Sequence, residues 1–325
     1  MCIRDRRELY KKDKGRFRRG IGLAGAYRGA NLGGEALEFG AAVVLINEDG
    51  TVLVTSGLAE NGQGLKTVIS QIVAETLGVP YEYVNYIDTD TGIAPDSGET
   101  VASRGTMIGG NAAIDAATKL KERLAFVASE LLGVPKNELI FKNGDIYWKN
   151  DPERKISFVD AVQTCYTRKI NLTATGFYSA PNLSWDPEMG KGDAYVTYVY
   201  HANVVEVTVD TETGNVSVNK VYAVHDVGRV INPKTIRGQV YSGVLMALGY
   251  ALKENFIIEN GYPKTLNFDT YQIMRATEIP DIEVVFIENI DPFGPYGAKG
   301  IGEPAMDTGA PATINAIDHA VGVSC

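Results

Sequence analysis

The stretch Val204-Val-Glu-Val-Thr-Val-Asp-Thr-Glu-Thr-Gly-Asn-Val-Ser-Val-Asn-Lys-Val221 alternates apolar and polar residues on both sides of a Glu-Thr-Gly turn. Successive side chains of a strand point to opposite faces. The pattern therefore predicts two paired strands, over 195–209 and 216–224, with one face buried and the other solvated. Outward from this hairpin, 41–56 reads as another, turning at Glu48-Asp49-Gly50, and a third turns at Asn143-Gly144-Asp145. Single strands are expected over 83–87 and 281–288. Helical spacing appears in Leu65, Val68, Ile69, Ile72, Val73 and Leu77, stopped by Gly78. Further helices are expected over 111–132, ended by Gly133 and Pro135, and over 156–166. Two more are expected over 234–254, opened by Asn232-Pro233, and over 308–321, with Pro311 in the first turn. Hairpins and helices follow no strict strand–helix–strand order, so the fold class is α+β, with mixed and antiparallel sheets. Residues 20–325 read as one large domain, with two lobes dividing near 180–195. The basic segment 1–19, which includes the run Lys11–Arg19, reads as a solvated tail.

Bulk composition narrows the function. The 325 residues are 45% hydrophobic and 22% charged, ordinary for a chain with a large buried core. A formal net charge of −9 opposes binding to nucleic acid or to an anionic membrane. No apolar run approaches the roughly 18–20 residues of a membrane span. Cys2, Cys165 and Cys325 lie far apart with no Cys-x-x-Cys, so an iron–sulfur cluster cannot be built from this chain alone, and a reducing, cytoplasmic setting is expected. His201, His225 and His319 are isolated in sequence and read as structural or surface residues rather than metal ligands.

Four glycine-rich segments remain. Gly20-Ile-Gly-Leu-Ala-Gly25 matches the dinucleotide fingerprint letter for letter. That fingerprint needs a strand before it and a helix after it, whereas a basic run precedes this one and more glycine follows. Close backbone packing or a bent strand accounts for it better; a nucleotide-dependent reductase using Gly20–Gly25 stays as an alternative. Gly62-Gln63-Gly64 stands before the helix that opens at Leu65. There glycines admit a ligand to the backbone, helix N–H groups suit an anion, and the Gln63 amide suits a heterocycle edge; an ordinary turn is the competing account. In Thr100–Thr106, Ala102, Ser103, Arg104, Gly105 and Thr106 either cradle phosphate oxygens or cap the long helix, and local sequence does not separate the two. Gly297-Ala-Lys-Gly-Ile-Gly-Glu-Pro304 has glycines that bury no side chain, as expected of backbone pressed against something large. Lys299 and Gly300 lie within it and Glu303 ends it as a candidate general base; a surface turn is the alternative.

Taken in order, these segments resemble the second half of the molybdopterin-binding subunit of the xanthine dehydrogenase/aldehyde oxidase family. Gly62-Gln63-Gly64-Leu65 is similar to the family's Met-Gly-Gln-Gly-Leu pterin-contact loop, with Asn61 where Met is usual. Thr100–Thr106 is similar to the loop that cradles the dinucleotide part of the cofactor. Asp226-Val-Gly-Arg-Val-Ile-Asn-Pro233 and Gly238-Gln239 match a further family segment, and Gly297–Glu303 matches the Gly-x-Lys-Gly-x-Gly-Glu signature. Two departures accompany the likeness. Met246 stands where many members carry a glutamine near the cofactor, and the family's preceding half, with its substrate-lining residues, has no counterpart here.

The resemblance implies a molybdenum cofactor-binding domain. It would hold molybdopterin, in the cytosine dinucleotide form, through Gly62, Gln63, Gly64, Ala102, Ser103, Arg104, Gly105, Thr106, Lys299 and Gly300. Molybdenum is then held by the pterin dithiolene and by no side chain, and Glu303 is the catalytic base. The implied reaction is oxidative hydroxylation of an N-heterocycle or an aldehyde with water. The implied partners are the preceding half of the same subunit, a 2Fe-2S subunit and an FAD subunit. A non-catalytic fragment or interaction module is the remaining alternative.

Overall fold

Alternating valines and alanine-rich helix faces build two separate cores in this computed structural model, which describes residues 2–181 and 183–322. The chain divides into two compact units, one comprising Gly29–Thr197 with Ile290–Gly300, the other Met1–Arg28, Tyr198–Asn289 and Ile301–Cys325. Cys325 itself falls outside the described residues. The class is α+β.

The unit around Gly29–Thr197 has a four-stranded sheet in the order Val84–Tyr86, Val52–Ser56, Phe39–Ile46, Thr173–Ser179. The first pair is parallel and the other two are antiparallel, with Val44 opposite both Val54 and Ala174. Helices Leu65–Leu77 and Gly110–Leu132 bury Ile69, Val73, Ala112, Ala116, Leu120 and Leu124 against Val44, Ile46 and Val54. Small residues let the longer helix lie directly on the sheet: a Cβ at Gly176 would fall 2.9 Å from the Ala116 methyl. A satellite three-stranded sheet, Leu139–Lys142, Asp145–Trp148 and Asp151–Ser157, contains the third hairpin. The helix expected from Ile156 begins at Phe158, because Ser157 accepts the Asp160 N–H at 3.0 Å as its N-cap and Ile156 pairs with Ile146 in the sheet.

The other unit has a four-stranded sheet in the order Phe17–Gly29, Tyr198–Asp210, Val216–Asp226, Asp281–Ile287. The central hairpin is antiparallel, with a register shift between Glu206 and Val207, and Val216–Asp226 pairs in parallel with Asp281–Ile287. Helices Pro233–Leu252 and Gly309–Val321 cover its apolar face through Val240, Val244, Leu248, Ala312 and Ala316. Asn232 opens the first of them by accepting the Lys234 and Thr235 N–H groups, each at 3.0 Å.

One expectation is corrected in this unit. Residues 1–19 do not form a uniformly solvated tail. Ile3–Tyr10 is helical, Arg6 pairs with Glu206, and Tyr10 donates to Glu206 at 2.9 Å. Arg16 grips Asp210 with two bonds of 2.8 and 2.6 Å. The polar positions Glu206 and Asp210 of the hairpin are consequently buried rather than open to water.

At Gly20–Gly25 the packing account holds and the dinucleotide alternative finds no support. These residues lie inside one uninterrupted strand, Phe17–Gly29, with neither the turn nor the helix start that a pyrophosphate needs. Their function is packing: a Cβ at Gly22 would collide with the Ala312 carbonyl and lie 2.8 Å from the Asn315 carbonyl carbon. Gly22→Ala is expected to cost about 3 kcal/mol in urea unfolding. Gly25→Ala, where the nearest atom is 3.8 Å from the added carbon, is expected to be close to neutral; equal costs at both positions would contradict this packing account.

Candidate functional site

Three of the sequence-predicted segments converge within the Gly29–Thr197 unit. The first is the turn before helix Leu65–Leu77. Gly62 and Gly64 have φ of 102° and 88°, a left-handed backbone that makes glycine the residue of choice. Open space surrounds Gly62: nothing lies within 4 Å of where its Cβ would be. Glu60, which sequence reasoning missed, organises the turn. Its carboxylate accepts the N–H groups of Gly62, Gly64 and Lys66 at 2.7, 2.9 and 3.0 Å. Burial pushes this carboxyl up, but the three backbone donors outweigh it and hold it below the ordinary carboxylate range. The Gln63 amide folds onto its own loop, donating to the Ala59 carbonyl at 3.0 Å and accepting from the Asn61 N–H. One amide hydrogen and one acceptor lone pair of Gln63 lie beyond these two bonds.

The second segment is Thr100–Thr106. Thr100 ties it to the first by accepting the Ala59 N–H at 2.8 Å, and Gly105 packs on the Leu65 side chain. Ala102 and Ser103 both adopt left-handed backbone, φ 51° and 58°, which costs each residue roughly 1–2 kcal/mol. Neighbouring contacts hold them there. Asn31 donates its N–H to the Ala102 carbonyl at 2.9 Å, and Arg104 anchors the turn from below. The Arg104 side chain is 1% exposed. It donates to Glu38 at 2.7 Å, to the Ser97 and Glu99 carbonyls at 2.6 and 2.7 Å, and to the Phe39 carbonyl. Four of the five guanidinium N–H groups are thereby committed inward. This corrects the expectation that Arg104 supplies charge to a ligand phosphate: its visible work is to hold the loop. From Gly105 the chain enters a wide helical turn, Gly105–Gly109, and then helix Gly110–Leu132. The first N–H groups of this run have no partner within the helix and suit an anion.

The third segment is Ile290–Gly300. Asp291 accepts the Phe293 and Gly294 N–H groups at 2.8 and 3.0 Å and also the Thr197 hydroxyl. Tyr296 shares a 2.7 Å hydrogen bond with Thr76. The segment ends with buried Lys299 and with Gly300, whose backbone lies against Ser103: a side chain there would strike the Ser103 carbonyl. Ala102–Thr106, Gly62–Gly64 and Lys299–Gly300 are thus linked through the contacts of Ala59, Leu65 and Ser103.

Glu303 lies three residues farther along, in the other unit. It occupies the position before the short helix Pro304–Asp307, and its side chain is 39% exposed. Arg28, at the end of strand Phe17–Gly29, donates to Glu303 Oε1 at 3.0 Å and to Asp307 Oδ1 at 3.3 Å. Behind this pair is a feature the isolated histidines did not suggest. His201 and His225 stand opposite each other in the hairpin, buried and stacked at 5.7 Å, and the His201 Nε2 is 3.6 Å from Asp307. Both ring nitrogens of His225 are buried without a hydrogen-bond partner. His319 accepts the Ile21 N–H at 3.1 Å, a structural role. Met246 is exposed on helix Pro233–Leu252. Among the described residues no group of three or more His, Cys, Asp or Glu side chains is arranged to hold a metal ion, and no helix is long and apolar enough to cross a membrane.

Burial, and secondarily the neighbouring His201, pushes His225 down to about 4 from an ordinary 6.5. A histidine depressed in the folded state binds fewer protons folded than unfolded. Its stabilising contribution is therefore whole above pH 6.5 and is lost as pH falls towards 4. The full loss is on the order of 3 kcal/mol. Chemical unfolding at about pH 7 and about pH 4 should show a smaller drop for His225→Leu than for the native chain. An identical drop would reject the histidine as a source of acid lability.

The family described as the molybdopterin cofactor-binding domain matches residues 2–280. The xanthine dehydrogenase molybdenum-binding subunit of Escherichia coli O157:H7 is 32% identical over 323 residues, 98% of this chain and 42% of its own length. The 6-hydroxypseudooxynicotine dehydrogenase complex subunit gamma of Paenarthrobacter nicotinovorans is 32% identical, covering 93% of this chain and 37% of its own. Among solved structures, quinoline 2-oxidoreductase from Pseudomonas putida 86 superposes with a TM-score of 0.88 at 26% identity, over 98% of this chain and 41% of that one. The chain therefore spans about two fifths of the length of these relatives.

Proposed function

We propose that this chain, which belongs to the molybdopterin cofactor-binding domain family, is the second part of the molybdenum-binding subunit of a molybdenum hydroxylase, with Glu303 as its catalytic base. The observation that carries this reading is the convergence of three sequence-distant loops in one unit, the last of which runs on through Gly300 to Glu303. The residues present fit a large anionic cofactor. Open backbone at Gly62 leaves room for a flat ring system, Gln63 can bond to a heterocycle edge, and the helix start at Gly105 and Thr106 suits phosphate oxygens. Ala102 and Ser103 would present backbone to the ligand, Lys299 would add charge, and Gly300 would keep that side of the loop thin. When bound, the cofactor supplies a two-electron redox centre and a Lewis-acidic metal.

This chain's own contribution to the chemistry is proton handling and placement. Glu303 takes the proton of the water that enters an electron-poor carbon of an N-heterocycle or an aldehyde. General-base catalysis of this kind supplies roughly 10²–10⁴-fold. The N-heterocycle class draws support from the quinoline oxidoreductase likeness. The rest of the subunit would line the substrate pocket, and 2Fe-2S and FAD subunits would carry electrons away. A relative named as one subunit of a dehydrogenase complex supports that arrangement. The cytosine dinucleotide form of the cofactor and a cytoplasmic location belong to the same reading.

Glu303→Gln in the complete subunit is expected to lower turnover by about 10²–10⁴-fold while molybdenum content, measured by elemental analysis, stays near native. Substantial residual hydroxylation would reject the base assignment. The isolated chain, lacking the remaining part of the subunit, is expected to purify with far less than one molybdenum per chain. Stoichiometric metal in that preparation would show that the three loops suffice.

A further inference from the structure

Arg28 has no place in the roles assigned so far, yet it makes an ionic contact with Glu303. Its Nη2 lies 3.0 Å from Glu303 Oε1, and its Nη1 lies 3.3 and 3.5 Å from the two Asp307 oxygens. The spacing of the carboxylates is set by the chain: Glu303 precedes and Asp307 ends a single helical turn, Pro304–Asp307, so the two side chains, four residues apart, emerge on one side of it. One guanidinium fork spans them, a geometry that a lysine's single ammonium cannot copy. The second carboxylate is the less exposed of the two: Asp307 is 23% exposed against 39% for Glu303, and the buried His201 imidazole stands 3.6 Å behind it.

We infer that Arg28 is a positioning residue for the catalytic base, fixing the Glu303 carboxylate by bridging it to Asp307. The inference rests on the reading of Glu303 as the base. It assigns the work of orientation to a residue at the end of a strand whose glycines, Gly20 and Gly22, seat it against helix Gly309–Val321. The strand, the bridging fork and the helical turn form one rigid support, and a carboxylate so held needs no search among rotamers before it accepts a proton. Without the fork, Glu303 and Asp307 would be like charges one helical turn apart and would be driven away from each other.

The test is a double-mutant cycle in the assembled, cofactor-loaded enzyme, assayed with xanthine, quinoline and benzaldehyde, together with crystal structures of the native complete subunit and its Arg28→Ala variant. Arg28→Ala should lower kcat by about 10- to 100-fold, with KM and molybdenum content little changed. Added guanidinium ion should restore part of the loss, and Arg28→Lys should recover less than the native residue gives. Combined with Glu303→Gln, the Arg28 substitution should cost nothing further, because it acts only through the carboxylate. The native crystal structure should show the bridge, and the variant a displaced Glu303 side chain. Native kcat in Arg28→Ala, an equal loss in both backgrounds, or an unmoved Glu303 in the variant would overturn the inference. Full activity of Glu303→Gln alone would instead remove the base reading, while the crystal structures would still decide whether Arg28 orients that side chain.

Discussion

A hydrogen atom is all that position 300 can carry beyond its backbone, because the Ser103 carbonyl occupies the space a Cβ would need. This contact joins two segments nearly two hundred residues apart, and the rest of the candidate site depends on it. Ser103 can meet Gly300 only while it and Ala102 keep their left-handed backbone, and that conformation is unfavourable for both. The buried Arg104 guanidinium, locked to Glu38 and to three carbonyls, supplies the compensation from beneath the loop. A charged pair so deeply buried is held by geometry rather than by large net attraction, since removing either partner leaves the other uncompensated. Its physical role is to make one loop conformation much better than its competitors.

Glu60 acts comparably on the neighbouring turn. A helix start with two left-handed glycines has several backbone N–H groups directed at a small volume. One carboxylate gathers three of them and so fixes the turn before any ligand arrives. The two loops are then tied through Thr100 and Ala59, and the cradle is largely preorganised by side chains that point away from it.

Much of this was legible in the sequence, and what was not has a common cause. Apolar periodicity located the central hairpin, the helix at Leu65–Leu77 and the long alanine-rich helix to within a few residues, because those elements are defined by local burial. Glycine spacing marked Gly297–Gly300 as backbone pressed against a neighbour, and there the Ser103 carbonyl fills the space of a side chain at Gly300. Charged residues were misread wherever their partner lay far off in the chain. Arg104 next to glycines resembles an anion ligand until Glu38 is placed beneath it, and the N-terminal arginines look solvated until Glu206 and Asp210 are brought under them. The bridge from Arg28 to Glu303 left no local trace at all. The histidine pair left none either: register counted from the turn, where Val209 faces Val216, would set His201 opposite Val224, and only the shift between Glu206 and Val207 brings His225 across from it.

The division of the chain between its units has a consequence for biogenesis. Strand Phe17–Gly29 is synthesised before its neighbour in the sheet, which begins only at Tyr198, with most of the other unit intervening. The intervening unit also stays incomplete until Ile290–Gly300 has emerged. A nascent chain therefore holds a glycine-rich strand without its sheet neighbour until Tyr198–Asp210 has emerged, at the mercy of any other strand it meets. Long sequence separation of this kind makes assembly slow.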